Sequence, residues 1–340
     1  MSTLPASDNP VLSSTQFRLK GLIAAPFTPL LPGGEIDFEK IGPYARFLER
    51  RGVSGVFVCG TTGEGGSLTI AERRAVLESW RRAAGDLTVI GHVGHASVVE
   101  ARNLASHAGE VGVDAIAAMP SSRHLPDGPQ ELVEWCAAIC EGAPALPFYY
   151  YHIPSVSGVT IPVRRMLDLA VRQIPNFAGV KFTHEDMLDF QICTHYAGGL
   201  LDVSFGRDEV LLAALVMGAQ SAVGSTYNFL SPLFADLIAR FRGGDLEGAR
   251  QRQLMAAEAI AVIIDAGGLS AIKAAMGLFG FDVGGTRLPM RTLTGSETRD
   301  LGRALERVGV LQAIDELTDS PGLAESGKQV TADFCEEVLA

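Results

Sequence analysis

Short apolar runs recur along this chain, each separated from the next by a longer segment whose apolar residues follow helical spacing. Eight runs read as strands: Leu22–Phe27, Gly55–Cys59, Thr88–Val93, Ala115–Met119, Pro147–Tyr151, Ala178–Phe182, Asp202–Phe205 and Ser221–Gly224. The segments between them include amphipathic Asp37–Arg51, Ile70–Ala84, Val98–Val111 and Gln130–Glu141. Thr69-Ile70-Ala71-Glu72 has the spacing of a capping box at a helix start. Strands that alternate with helices pair in parallel, because a parallel connection needs a long crossover. Eight such units between residues 22 and 243 predict an α/β fold, a closed (β/α)8 TIM barrel, for which about 250 residues is typical. The alternative is a doubly wound open sheet, but no Gly-x-Gly-x-x-Gly follows the first strand.

This reading divides the chain into an N-terminal extension (1–17), the barrel (18–243), a C-terminal helical extension (244–318) and an acidic tail (319–340). The extension is expected to hold helices at Asp245–Ala266, Gly268–Phe279 and Ser296–Ile314. The tail opens Asp319-Ser320-Pro321-Gly322, reads as loosely ordered, and is expected to end in a short helix over Val330–Leu339.

Charge and cysteine usage narrow the partners. With 28 basic and 39 acidic residues the net charge is −11, which disfavours nucleic acid and anionic membranes as partners. No uninterrupted apolar run is long enough for a membrane-spanning helix, so no membrane association is expected. Residues 1–17 lack the apolar stretch of a secretory signal. Five scattered cysteines (Cys59, Cys136, Cys140, Cys193 and Cys335) fit reduced thiols, hence a cytoplasmic location. Cys136 and Cys140, one helical turn apart with no second pair nearby, read as a packed helix face rather than a zinc site.

Barrel enzymes react at the C-terminal ends of their strands. Lys181 stands in the apolar run Phe177-Ala178-Gly179-Val180-Lys181-Phe182-Thr183. Burying an ammonium is costly and favours the neutral amine, a nucleophile suited to Schiff-base chemistry; the alternative is a strand-end lysine whose head reaches water. Gly60-Thr61-Thr62-Gly63-Glu64-Gly65 places two hydroxyls and turn N–H groups after the second strand. It suits a small carboxylate, or is simply a tight turn. Tyr151 ends the fifth strand as a proton shuttle or as a core aromatic after Phe148-Tyr149-Tyr150. Asp208 and Glu209, after the seventh strand, are acceptors for sugar hydroxyls or first-turn helix charges. Ser225 is a further polar group or a helix N-cap. His92-Val93-Gly94-His95 has no nearby carboxylate or cysteine cluster and reads as two structural histidines, so no metal site is expected.

Gly60-Thr61-Thr62-Gly63-Glu64, Tyr151-His152-Ile153-Pro154 and Gly179-Val180-Lys181-Phe182-Thr183 resemble, in order and spacing, the pyruvate-dependent class I aldolases of the dihydrodipicolinate synthase and N-acetylneuraminate lyase family. The resemblance runs from about Phe17 to Leu311. Phe205-Gly206-Arg207-Asp208-Glu209 and Ala222-Val223-Gly224-Ser225-Thr226-Tyr227-Asn228 look like the lyase branch. Synthases usually carry an arginine where this chain has Val156, and aromatic residues near Ser121-Ser122-Arg123, including a tyrosine that reaches across a subunit interface. The resemblance implies that Lys181 forms the Schiff base, Tyr151 moves the proton at the sugar C4 hydroxyl, and Thr61 and Thr62 bind the carboxylate. It places Thr183, Gly206, Asp208, Glu209 and Ser225 on the polyhydroxyl chain. Cleavage of N-acetylneuraminate to N-acetylmannosamine and pyruvate would follow, without metal or organic cofactor, in a homotetramer. Arg207, inside the sugar-facing motif, leaves two alternatives open: it neutralises the carboxylates beside it, or it recruits a different sugar substituent.

Overall fold

The computed structural model describes residues 17–319. Eight parallel strands close in sequence order into a barrel. The elements run β1 (Gly21–Ala24), α1 (Ile41–Arg50), β2 (Gly55–Val58), α2 (Ile70–Ala83), β3 (Thr88–His92), α3 (Val98–Val111), β4 (Ala115–Ala118) and α4 (Pro129–Cys140). Then come β5 (Phe148–His152), α5 (Pro154–Ser157), α6 (Leu167–Gln173), β6 (Phe177–Phe182), α7 (Met187–Thr194), β7 (Asp202–Phe205), α8 (Leu211–Val216), β8 (Ser221–Gly224) and α9 (Ser231–Arg242). The chain continues through α10 (Leu246–Asp265), α11 (Leu269–Leu278), α12 (Gly295–Val308) and α13 (Val310–Thr318). All eight expected strands form, within a few residues of their expected ends. The Thr69–Glu72 capping box is present in full, and Cys136 and Cys140 are both buried on α4. The helix expected over Val330–Leu339 lies outside the described residues, as does Cys335.

One expectation needs correction. Ser296–Ile314 is not a single helix: α12 ends at Gly309, whose φ of 79° is left-handed, and α13 starts again at Val310. Glycine adopts this conformation at little cost and commonly stops a helix there.

The contacts divide the chain into two compact units. The first holds Val89–Arg207 and Ala214–Ser221, with residues 17–19 of the described chain. Its strands interleave large and small residues: Ala117 and Ala118 of β4 face Tyr149 and Tyr150 of β5 across the register. At the N-terminal end of β7, buried Asp202 accepts from the Leu19 N–H at 2.7 Å and the Tyr149 hydroxyl at 2.6 Å. Burial raises the Asp202 carboxyl above its ordinary range, and these donors oppose it.

The second unit holds Lys20–Thr88, Asp208–Ala213 and 222–319 of the described chain. Within it β1 meets β8 through the Ala25 N–H and the Gly224 carbonyl at 2.9 Å. Helices α10 and α13 pack on α9, and Phe279 after α11 stacks on Phe229 with centroids 4.9 Å apart. A buried polar knot ties β1, α1 and the turn after β8. The Asn228 amide donates to the carbonyls of Ala25 and Ser225, both at 2.7 Å, and accepts from the Tyr44 hydroxyl at 2.6 Å. Among the described residues no single helix is long and apolar enough to cross a membrane.

Asn228 is fully buried, so truncation strands three partners at once. Asn228→Ala is expected to cost about 3 kcal/mol or more, since each buried group left unsatisfied costs roughly 1–3 kcal/mol. Urea unfolding at constant m-value reads it, and a loss below about 1 kcal/mol would show that the knot relaxes around the gap.

Candidate active site

Each of the nine site residues singled out from the sequence stands at, or directly after, the C-terminal end of a barrel strand: Thr61 and Thr62 after β2, Tyr151 in β5, Lys181 and Thr183 at the end of β6, Gly206, Asp208 and Glu209 after β7, and Ser225 after β8. They fall into two groups, one in each unit.

In the first unit, Tyr151 and Lys181 are register partners on neighbouring strands. Both are buried, at 3% and 5% exposure, and the Lys181 Nζ lies 3.7 Å from the centroid of the Tyr151 ring. An aromatic face carries negative charge density and accommodates an ammonium. The register continues to Lys181 and Ser204 between β6 and β7. Thr183 is buried, and its hydroxyl makes no hydrogen bond within the described residues. A side chain at Gly206 would overlap the Thr183 hydroxyl, so glycine there is what leaves Thr183 its position. Arg207 pairs through Nη2 with the Glu185 carboxylate, and Glu185 also meets His184 Nδ1 at 3.1 Å.

In the second unit, Thr62 is buried and Thr61 exposed. The Thr62 and Ser225 hydroxyls are 2.6 Å apart. Ser225 sits at the N-cap position of the turn Thr226–Asn228 but makes no side-chain cap bond, so the N-cap alternative fails because its hydroxyl turns to Thr62. The cap is supplied by Asp208, whose Oδ2 accepts from the Thr226 N–H at 3.0 Å and the Thr226 hydroxyl at 2.6 Å. A Cβ at Gly224 would overlap this carboxylate. Burial first, then the Asp208 and Glu209 carboxylates, hold the Tyr227 phenol well above its ordinary range. The backbone carbonyls of Asp208 and Glu209 accept from the Gln253 amide at 3.2 and 2.9 Å.

The paired histidines of residues 92–95 act locally. His92 Nε2 accepts from the Met119 N–H at 3.2 Å, and His95 Nδ1 from the Ser97 N–H at 3.0 Å. The His92 and Tyr151 rings also stand perpendicular to one another, with centroids 6.0 Å apart. Among the described residues no group of three or more His, Cys, Asp or Glu side chains is placed to hold a metal ion.

Three features escaped the sequence reading. His152, next to Tyr151, is 1% exposed, and neither ring nitrogen has a hydrogen-bond partner among the described residues. Glu185 became visible only through its pairing with Arg207. Lys273 forms an ion pair with Glu64 in which both side chains are 1% exposed. The signal for Lys273 was present in the sequence, a lone lysine in the apolar segment Leu269–Leu278.

The chain matches the model of the dihydrodipicolinate synthetase family over residues 18–308. It is 41% identical over 288 residues to the N-acetylneuraminate lyase of Xenopus tropicalis, covering 83% of this chain and 94% of that one. To the N-acetylneuraminate lyase of Homo sapiens it is 40% identical over 304 residues, covering 88% and 95%. The structure of Proteus mirabilis N-acetylneuraminate lyase superposes with a TM-score of 0.83 at 39% identity, covering 86% of this chain and 99% of that one.

The state of His152 gives a pH test. Burial first, then the neighbouring His184, press its pKa from 6.5 down to about 3. Between those values the unfolded chain binds a proton that the folded chain refuses. His152 therefore contributes stability that is complete above about pH 6.5 and is lost as pH falls toward 3, by about 1.4 kcal/mol per pH unit at most. Urea unfolding from pH 6.5 to 5 should show this slope, and His152→Gln should flatten it. An unchanged slope in the variant would rule out a buried neutral His152 as its source.

Proposed function

This chain belongs to the dihydrodipicolinate synthetase family, and on that premise we propose that it cleaves N-acetylneuraminate reversibly to N-acetylmannosamine and pyruvate. The observation that carries the reading is the buried Lys181 amine over the Tyr151 ring, in a chain about 40% identical to N-acetylneuraminate lyases along most of its length. A buried lysine at a strand end beside a phenol is placed to form a Schiff base with a carbonyl substrate.

The Lys181 amine adds to the keto carbon, and loss of water gives an imine whose protonated form is the electron sink. The carbon–carbon bond breaks as Tyr151 takes the proton of the C4 hydroxyl and passes its own phenolic proton to the substrate carboxylate, from which it returns to the enamine carbon. The aldehyde N-acetylmannosamine leaves. The enamine then takes up a proton, and water releases pyruvate and restores the amine. Thr61 and Thr62 hold the carboxylate, while Thr183, Gly206, Asp208, Glu209 and Ser225 meet the polyhydroxyl chain. The proton and electron pair are both handled on substrate and protein atoms, so the reading calls for no cofactor. It includes a barrel over 18–243 with a helical extension over 244–318, a cytoplasmic homotetramer, and no nucleic-acid or membrane partner.

A second reading keeps the chemistry and changes the sugar acid. Arg207 stands in sequence between Gly206 and Asp208, two residues assigned here to the sugar, and pairs with Glu185. A keto acid bearing a different substituent there is the alternative substrate. Val156, where synthases carry a carboxylate-binding arginine, speaks against aspartate semialdehyde as the partner aldehyde.

Pyruvate with borohydride should add a reduced three-carbon adduct to the Lys181 peptide, and Lys181→Ala should abolish both adduct and turnover. An unchanged intact mass of the wild type would end the Schiff-base reading. Tyr151→Phe should lower turnover by roughly 10²–10⁴; a loss within threefold would return Tyr151 to the core. In a coupled assay of pyruvate release, N-acetylneuraminate should be cleaved. Trapping of pyruvate without that cleavage would keep the aldolase and favour the second sugar acid.

A further inference from the structure

The turn that carries Thr61 and Thr62 is gripped by charges that the chemistry above does not use. Glu64 closes this turn with a left-handed backbone, φ 56°, a conformation that side-chain-bearing residues keep only where the surroundings impose it. Its carboxylate supplies those surroundings. Oε1 accepts from Lys273 Nζ at 2.6 Å, and Oε2 from the Arg287 N–H at 2.8 Å. Lys273, on α11, also donates to the Thr28 carbonyl at 2.8 Å, and the Thr28 hydroxyl donates to the Gly63 carbonyl at 2.6 Å. One ammonium thus reaches both the side chain of Glu64 and, through Thr28, the backbone of Gly63.

Arg287 extends the grip. Its guanidinium donates to the carbonyl of Ser67 at 3.2 Å and to the Glu72 carboxylate at 2.8 Å. That contact is the largest of the influences holding Glu72 down at about 2. Burial presses the Lys273 amine below its ordinary range, and the Glu64 carboxylate is the strongest influence opposing it. Two charges taken out of water recover little net stability from their attraction, whereas they do fix geometry. A turn that binds a small anion needs that kind of fixing, since its hydroxyls and N–H groups act only when placed within about 0.5 Å.

We propose that the buried Glu64–Lys273 ion pair is a positioning device, through which helix α11 holds the Thr61-Thr62 turn in its carboxylate-binding form. Both side chains are 1% exposed, so they act through the turn and not on substrate directly. The inference rests on the aldolase reading, in which this turn takes the carboxylate of pyruvate and of the sugar acid.

The test compares wild type with Glu64→Gln, Lys273→Met and the double variant. The double variant leaves no buried charge alone, so it keeps the experiment decisive if a single variant fails to fold; heat unfolding monitors the fold. Borohydride trapping is titrated with pyruvate and with pyruvamide, which presents the same ketone without a carboxylate. In folded variants the pyruvate concentration for half-maximal trapping should rise about tenfold or more. The value for pyruvamide should stay within twofold, and KM for the sugar acid should rise far more than kcat falls. A pyruvate value within twofold of wild type, or an equal loss for both ketones, overturns the inference and leaves the aldolase reading intact. Wild type that is not trapped at all overturns the aldolase reading, and this inference with it.

Discussion

The register of two neighbouring strands sets Tyr151 of β5 beside Lys181 of β6, and much else follows from that pairing. Side chains alternate between the two faces of a strand, so a slip of one residue would carry Lys181 to the opposite face. Both strands are held from their far sides as well, β5 by β4 and β6 by β7. A parallel strand inside a closed barrel has no free edge along which to slide. The amine is therefore placed over the phenol ring by backbone hydrogen bonds. A lysine at a strand end with a mobile head would have no such constraint, and its 5% exposure shows that the head does not reach far into water.

Three buried carboxylates among the described residues are met by donors from other segments. Asp202 collects the Leu19 N–H and the Tyr149 hydroxyl at the N-terminal end of β7. Asp208 collects the N–H and hydroxyl of Thr226 beyond the C-terminal end of that strand. Glu64 collects Lys273 and the Arg287 N–H. The cost of removing a carboxylate from water is offset only when its lone pairs are satisfied. In barrels the N-terminal ends of strands serve stability and the C-terminal ends serve chemistry. By position, Asp202 is structural, while Asp208 and Glu64 brace segments that carry the candidate site residues.

Local pattern was enough to read the barrel. Eight strands, the helix α3 to the residue, and the capping box at Thr69 all follow from periodicity and from cap chemistry within a few positions. Lys181 stood out because a charge interrupts an apolar run. The same signal at Lys273 went unread, since its meaning depends on Glu64, 209 residues away. Ser225 was ambiguous for a related reason. An N-cap is a local decision, but its hydroxyl is claimed by Thr62, which is 163 residues distant. Glycines gave their reasons only in three dimensions: Gly309 breaks a helix by its left-handed φ, and Gly206 yields space to Thr183. His152 is not legible in the sequence, because a histidine in a strand does not reveal whether its ring nitrogens find hydrogen-bond partners.

The fold is set deep in the chain, whereas the side chains proposed to meet the substrate stand at or beyond the strand ends. An apolar pocket discriminates weakly between substrates that differ by a methylene, but a site lined with buried acceptors rejects a substrate that leaves them unpaired. The orientation of the Asp208 carboxylate is fixed by Thr226 and by the space that Gly224 leaves. Preorganised acceptors lower the entropy cost of ordering a flexible polyhydroxyl chain. Arg207 acts in the opposite sense: a guanidinium next in sequence to an acceptor either draws that acceptor's charge or is itself held by another carboxylate. Glu185 holds it here. The pairing of Arg207 with Glu185 joins the loops that follow β6 and β7, two strands whose ends carry candidate site residues.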